Sequence, residues 1–171
     1  MFNRILVPTD FSEPSDAALD YARRLARRFG ASLHLLHVIE PFAAAGMVSN
    51  EMYNGTTPGQ YELLVKEAQA KFAQRAFPPG REPGKTTTEV MTGRSAQTIV
   101  DYASDHGFDL IVMGTHGRTG LAHLLMGSVA EHVVRTASCP VMTVREARAP
   151  ERATVLRSDQ ISQFDIALGL G

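Results

Sequence analysis

The chain is poor in the features that would place it outside a reducing cell interior or against a charged polymer. Cys139 is the single cysteine in 171 residues, so no internal disulfide can form, and a cytoplasmic location is the expectation. Standing before Pro140 and an apolar run, that thiol reads as buried and inert. No apolar stretch approaches the roughly 18 residues of a membrane span. The opening Met1-Phe2-Asn3-Arg4-Ile5-Leu6-Val7-Pro8 is too soon interrupted for a secretory signal. With 17 basic and 18 acidic residues, a formal net charge of -1, nothing favours nucleic acid or an anionic membrane as partner. Several site signatures are missing too. There is no Gly-x4-Gly-Lys-Ser/Thr loop, no Gly-x-Gly-x-x-Gly after the first strand, no Gly-x-Ser-x-Gly elbow and no Cys/His cluster at zinc spacing.

What is present is an ordinary globular composition, 44% apolar and 20% charged, in one domain's length of chain. Arg4-Ile5-Leu6-Val7 reads as a buried strand stopped by Pro8. Ser12 is placed to cap a helix with Pro14 in its first turn and Gly30 beyond its end. Ala18, Tyr21, Ala22, Leu25 and Phe29 form one face of that helix. Its arginines at 23, 24, 27 and 28, one turn from Asp16 and Asp20, read as a solvated ion-paired surface. The strand from Ser32 to Val38 turns His34 and His37 to opposite faces, so they cannot share a metal.

Residues from Glu40 to Gly59 show no period and read either as a lid or as an incidental insertion. A helical face follows at Tyr61, Leu64, Val65, Ala68 and Phe72, and Pro78-Pro79-Gly80 ends it. Next come a strand at Thr86–Met91, a helix opened by Gly93 and Ser95, a strand at Asp109–Met113, a helix from Ser128 and a strand at Val141–Val144. Strict β-α alternation predicts an α/β fold, an open parallel five-stranded sheet with helices on both faces. Residues 146–171 fall outside the alternation, as a C-terminal extension that is either disordered or docked.

Chemistry concentrates in Gly114-Thr115-His116-Gly117-Arg118 and the ten residues that lead to Ser128, between a buried strand and a helix. Glycines let backbone N–H groups approach a phosphate, and a helix N-terminus offers unpaired donors and a positive dipole end. The same glycines would also serve a plain surface turn. His116 and His123 stand in this loop, where they either assist phosphate binding or are simply exposed. Pro8-Thr9-Asp10 ends the first strand, and if the first and fourth strands are neighbours the two loops face one crevice. Asp10 repels phosphate. It would face sugar or base, hold a divalent cation that bridges to phosphate oxygens, or merely form the turn.

These residues, together with His37-Val38, Gly-x2-Gly-x9-Gly-Ser at Gly114, Gly117, Gly127 and Ser128, and the flanks Val129-Ala130-Glu131-His132-Val133-Val134 and Cys139-Pro140-Val141, resemble the universal stress protein family over residues 2 to about 145. The resemblance implies a Rossmann-like sheet in the order 3-2-1-4-5, a domain over residues 1–145, and ATP as ligand. By position it puts Pro8, Asp10 and Val38, with Thr9 between the first two, on the adenine and ribose side. Met113 and Gly114 fall at the ribose, and Gly117, Arg118, Gly127, Ser128 and Val129 at the phosphates. Where Asp10 takes the cation role weighed above, Mg2+ or Mn2+ is the expected ion, held with those phosphates; the resemblance further implies a homodimer formed along Val141 to Val144. The expected function is a nucleotide-dependent stress-response regulator with an unknown protein partner and no strong catalysis. A slow metal-dependent ATP hydrolase and a dimeric adaptor without nucleotide are the alternatives.

Overall fold

Among the described residues, the strands at Arg4–Pro8 and Leu110–Gly114 are built mainly of buried apolar residues, and the sheet they centre explains why. A computed structural model describes residues 2–40, 58–75, 85–115 and 126–145. Strands β1 (Arg4–Pro8), β2 (Ser32–Ile39), β3 (Thr86–Thr92), β4 (Leu110–Gly114) and β5 (Val141–Val144) alternate with helices α1 (Glu13–Phe29), α2 (Pro58–Gln74), α3 (Ser95–Asp105) and α4 (Ser128–Thr136). All neighbouring strands are parallel, in the order β3-β2-β1-β4-β5. The expected order 3-2-1-4-5 is therefore the observed one.

Central strands of such a sheet are covered on both faces, so alternate residues feed two cores. Ile5, Val7, Leu33, Leu35, Leu110 and Val112 pack with Ala18, Leu19, Ala22 and Ala26 of α1 and Phe72 of α2. Leu6, Leu36, Ile111 and Met113 pack on the other side with Ile99, Tyr102 and Ala103 of α3 and Ala130 and Val133 of α4. β5 is an outer strand, and its Met142 is 40% exposed. Cys139 is only partly buried, not enclosed as expected, and that burial pushes its thiol pKa up.

α1 corrects the expected helical face. Its buried residues are Ser15, Ala18, Leu19, Ala22 and Ala26, whereas Tyr21 is 48% exposed with the Arg24 guanidinium over its ring. Both stripes have helical spacing. The sheet selects the one rich in alanine, because small side chains let α1 approach the strands closely. Leu25 and Phe29 pack at the margin. Among the acids, Asp20 pairs with Arg23 at 2.9 Å as expected, but Asp16 reaches across to Arg75 at the end of α2. The second helix starts at Pro58, inside the stretch read as loop. Residues 41–57, the Pro78-Pro79-Gly80 stop and the tail from 146 lie outside the described residues.

His34 and His37 do face opposite ways. His34 sits among Tyr102, His106, Phe108 and Arg4 on the α3 side. Its Nε2 bonds the Tyr102 hydroxyl at 2.9 Å and its Nδ1 meets the Thr87 hydroxyl. A neutral ring satisfies both, donating at one nitrogen and accepting at the other. Burial first, then His106 and Arg4, lower its pKa from 6.5 to about 4. The unfolded chain therefore takes up this proton before the folded one does. Stability should fall as pH drops from 6.5 towards 4, and a His34→Gln variant should show a flatter melting temperature across that window. Equal slopes in the two proteins would refute the assignment.

Candidate functional site

The strand order reverses between β1 and β4, and the crevice beyond their carboxyl ends is where an open α/β sheet can receive a ligand. At the end of β1, Pro8 closes the strand. Thr9 follows with its N–H on the Leu36 carbonyl at 2.9 Å and its carbonyl accepting from His37 Nδ1 at 2.8 Å. The Thr9 hydroxyl, buried, lies 3.0 Å from the Ser15 hydroxyl and accepts the Phe11 N–H at 3.0 Å. Asp10 Oδ1 takes the Ser12 N–H at 3.1 Å and the Ser12 hydroxyl as well. The turn-forming role of Asp10 is thus real. Ser12 holds the expected N-cap position of α1, but its side chain bonds Asp10 and caps no helical N–H.

At the end of β4, Met113 is 5% exposed and Gly114 lies against the first turn of α1. A Cβ built on Gly114 would stand 2.9 Å from both the carbonyl carbon and the oxygen of Pro14. Close packing of β4 on α1 accounts for this glycine before any ligand does. Thr115 donates to the Val144 carbonyl at 3.0 Å and accepts the Gly127 N–H at 2.7 Å, so the chain leaves and re-enters at one hydrogen-bonded pair. Gly127 is then the N-cap of α4 with no side-chain cap. The first intrahelical bond runs from the Glu131 N–H to the Gly127 carbonyl at 2.9 Å. The N–H groups of Ser128, Val129 and Ala130 precede it and point out of the helix end.

These ends enclose a cleft of about 590 Å³, within the size range of small-molecule sites. Pro8, Thr9, Asp10, Val38, Met113, Gly114, Gly127, Ser128 and Val129 all line it. Nine of the residues selected from sequence are thereby brought together. His116, Gly117, Arg118 and the neighbouring His123 lie outside the described residues. The cleft also has walls that sequence reasoning missed, namely Phe11, Glu40, Leu64, Glu67, Lys71 and Ser95. Leu64 stood on the expected face of α2, but Glu67 and Lys71 look in sequence like any exposed pair four apart. Glu40 accepts the Ser95 N–H at the start of α3 at 2.9 Å. Hydrogen bonds from the Ser95 side chain and backbone hold this carboxyl below its usual range.

Among the described lining residues the acids are Asp10, Glu40 and Glu67, and Lys71 is the basic side chain apart from His37. Glu40 already occupies the N-terminus of α3, whereas the N-terminus of α4 borders the cleft at Gly127 and Ser128, an end of the kind suited to an anion. Among the described residues no three His, Cys, Asp or Glu side chains are grouped to hold a metal. Asp10 alone could bind a divalent cation only with oxygens from a ligand. No helix among the described residues is long and apolar enough to cross a membrane.

Comparison with known proteins agrees with this architecture. The model of the universal stress protein family matches residues 1–145. Universal stress protein MJ0531 of Methanocaldococcus jannaschii is 35% identical over 150 residues, 85% of this chain and 84% of that one. The solved structure of MJ0577 from the same organism superposes with a TM-score of 0.71 at 31% identity, covering 87% of this chain and 99% of that one. Universal stress protein UspA from Lactobacillus plantarum gives 0.68 at 32% identity, covering 84% and 98%. A universal stress protein from Archaeoglobus fulgidus, solved in complex with dAMP, shares the fold at 18% identity and a TM-score of 0.51, covering 84% and 97%.

Proposed function

The chain belongs to the universal stress protein family, and we propose that within it this protein is an ATP-binding regulator of the stress response without strong catalytic activity. The observation that carries the reading is the start of α4. Its N-cap is Gly127, which has no side chain to cap the helix, and Ser128 and Val129 line the same cleft as Asp10 and Val38. The triphosphate would lie on Gly127, Ser128 and Val129, with Gly117 and Arg118 as the further phosphate contacts that the family resemblance implies. Ribose and adenine would lie along Pro8, Thr9, Asp10, Val38, Met113 and Gly114. The charge of the cleft gives a divalent cation a role, because three lining carboxylates oppose an anionic ligand. Mg2+ or Mn2+ bound by the phosphates and Asp10 would offset that repulsion.

Calorimetric titration with ATP, with and without Mg2+, tests this. Saturable binding of one ATP per chain is expected, together with phosphate release at the rate of an Asp10→Ala variant. A flat titration overturns the reading in favour of an adaptor that needs no nucleotide. Turnover that vanishes in Asp10→Ala would instead make the protein a hydrolase. Among the described residues β5 is an outermost strand and Met142 is exposed, which supports a homodimer formed along Val141 to Val144. Light scattering on the same sample should give twice the chain mass, and a monomer would refute the dimer.

A further inference from the structure

Phe11 is the one non-glycine among the described residues with positive φ, at 65°, and it lines the cleft. A bulky aromatic residue does not adopt that conformation unaided, because its Cβ crowds the following carbonyl. Something must hold it there. The ring lies 4.5 Å from that of His37 and 5.2 Å from that of Phe72, between centroids. The backbone is held at both ends, its N–H by the Thr9 hydroxyl at 3.0 Å and its carbonyl by Arg75. Its Nη2 donates to the Phe11 carbonyl at 3.2 Å and to Asp16 Oδ2 at 2.8 Å, and its Nε donates to Asp16 Oδ1. Nη1 reaches back to the Lys71 carbonyl at 3.3 Å. The guanidinium also stands over the Phe11 ring, 5.1 Å from its centroid. One planar fork therefore joins the end of α2, the first turn of α1 and the residue next to Asp10.

We propose that Arg75 is a positioning residue for the nucleotide cleft: from the end of α2 it acts with the Thr9 hydroxyl to keep Phe11 left-handed, and so sets the Asp10–Ser12 turn in place against the ligand. This rests on the nucleotide reading given above. It also makes α2, which supplies Leu64, Glu67 and Lys71 to the cleft wall, mechanically continuous with the β1–α1 turn. Ligand on one wall and displacement of α2 on the other then act on the same contact.

Two readouts separate this role from simple bracing. A strong intraresidue Hα–HN cross-peak marks positive φ, and in the free protein Phe11 should show it. In Arg75→Met that cross-peak should weaken and ATP affinity should fall about 10-fold, the equivalent of one charge-assisted hydrogen bond. Arg75→Lys keeps the charge but not the fork and should behave alike, which preserves the test if the methionine variant fails to fold. A lowered melting temperature with the cross-peak retained overturns the proposal, as does a lost cross-peak with affinity unchanged. If the unaltered protein binds no ATP, the nucleotide reading fails separately and the cross-peak alone decides what Arg75 does.

Discussion

Gly114→Val is expected to cost about 3 kcal/mol of stability or more, at the upper end for forcing side-chain atoms into a packed contact. Two features make the cost large. The new Cβ would meet the carbonyl carbon and oxygen of Pro14 at 2.9 Å and the Pro14 Cβ at 3.1 Å. Backbone atoms of a helix cannot swing aside as the end of a flexible side chain can. Pro14 also stands in the first turn of α1, where the chain has just left the Asp10 turn. Relief by moving α1 away from β4 would pull on Ser12, whose hydroxyl and N–H hold Asp10, so any nucleotide affinity should fall with stability. Gly30→Ala provides the comparison. Gly30 has φ 70 with nothing near its would-be Cβ, and only the left-handed conformation at a helix end opposes the substitution, at about 1 kcal/mol. Urea denaturation of both variants checks the ranking. A Gly114→Val loss no larger than that of Gly30→Ala would mean β4 and α1 are less tightly apposed than described.

That glycine shows where sequence reading reaches and where it stops. The alternation of periods was legible, because each strand and helix carries its own apolar rhythm and flanking Pro or Gly. So were the strand ends that build the cleft, since Pro8-Thr9-Asp10 and the Gly114–Ser128 stretch are the places where an apolar strand empties into unusual residues. What Gly114 is for was not legible. A contact with Pro14 joins residues a hundred positions apart, and no local pattern encodes it. The face of α1 differs for a related reason: Ala18 and Ala22 lie on both stripes, and the sheet takes Ser15, Leu19 and Ala26 beside them instead of the bulkier Tyr21, Leu25 and Phe29, because it favours what packs closest. Glu40, Lys71 and Phe11 reach the cleft from residues that resemble any loop acid, surface lysine or buried ring. Their roles follow from where α2 and α3 come to rest, which is tertiary information.

Ser128→Pro should leave the fold nearly untouched while lowering ATP affinity about 10- to 100-fold, the loss of one hydrogen bond from the backbone N–H to a charged phosphate at roughly 1.5–3 kcal/mol. Proline is tolerated at the first helical position because the N–H it lacks has no partner inside the helix and its fixed φ already suits the turn. Ser128 is that position in α4. Proline also restricts the residue before it to extended backbone, and Gly127 is extended already, with φ -75 and ψ 154. Melting temperature should therefore hardly change. Ser128→Ala divides the effect, since it removes the hydroxyl and keeps the N–H. The variant is more diagnostic than a glycine substitution in the same motif, where a lost ligand and a distorted turn give the same result. If Ser128→Pro is folded and binds ATP as the parent does, the phosphates lie elsewhere. The α4 N-terminus would then be a helix end that happens to border the cleft.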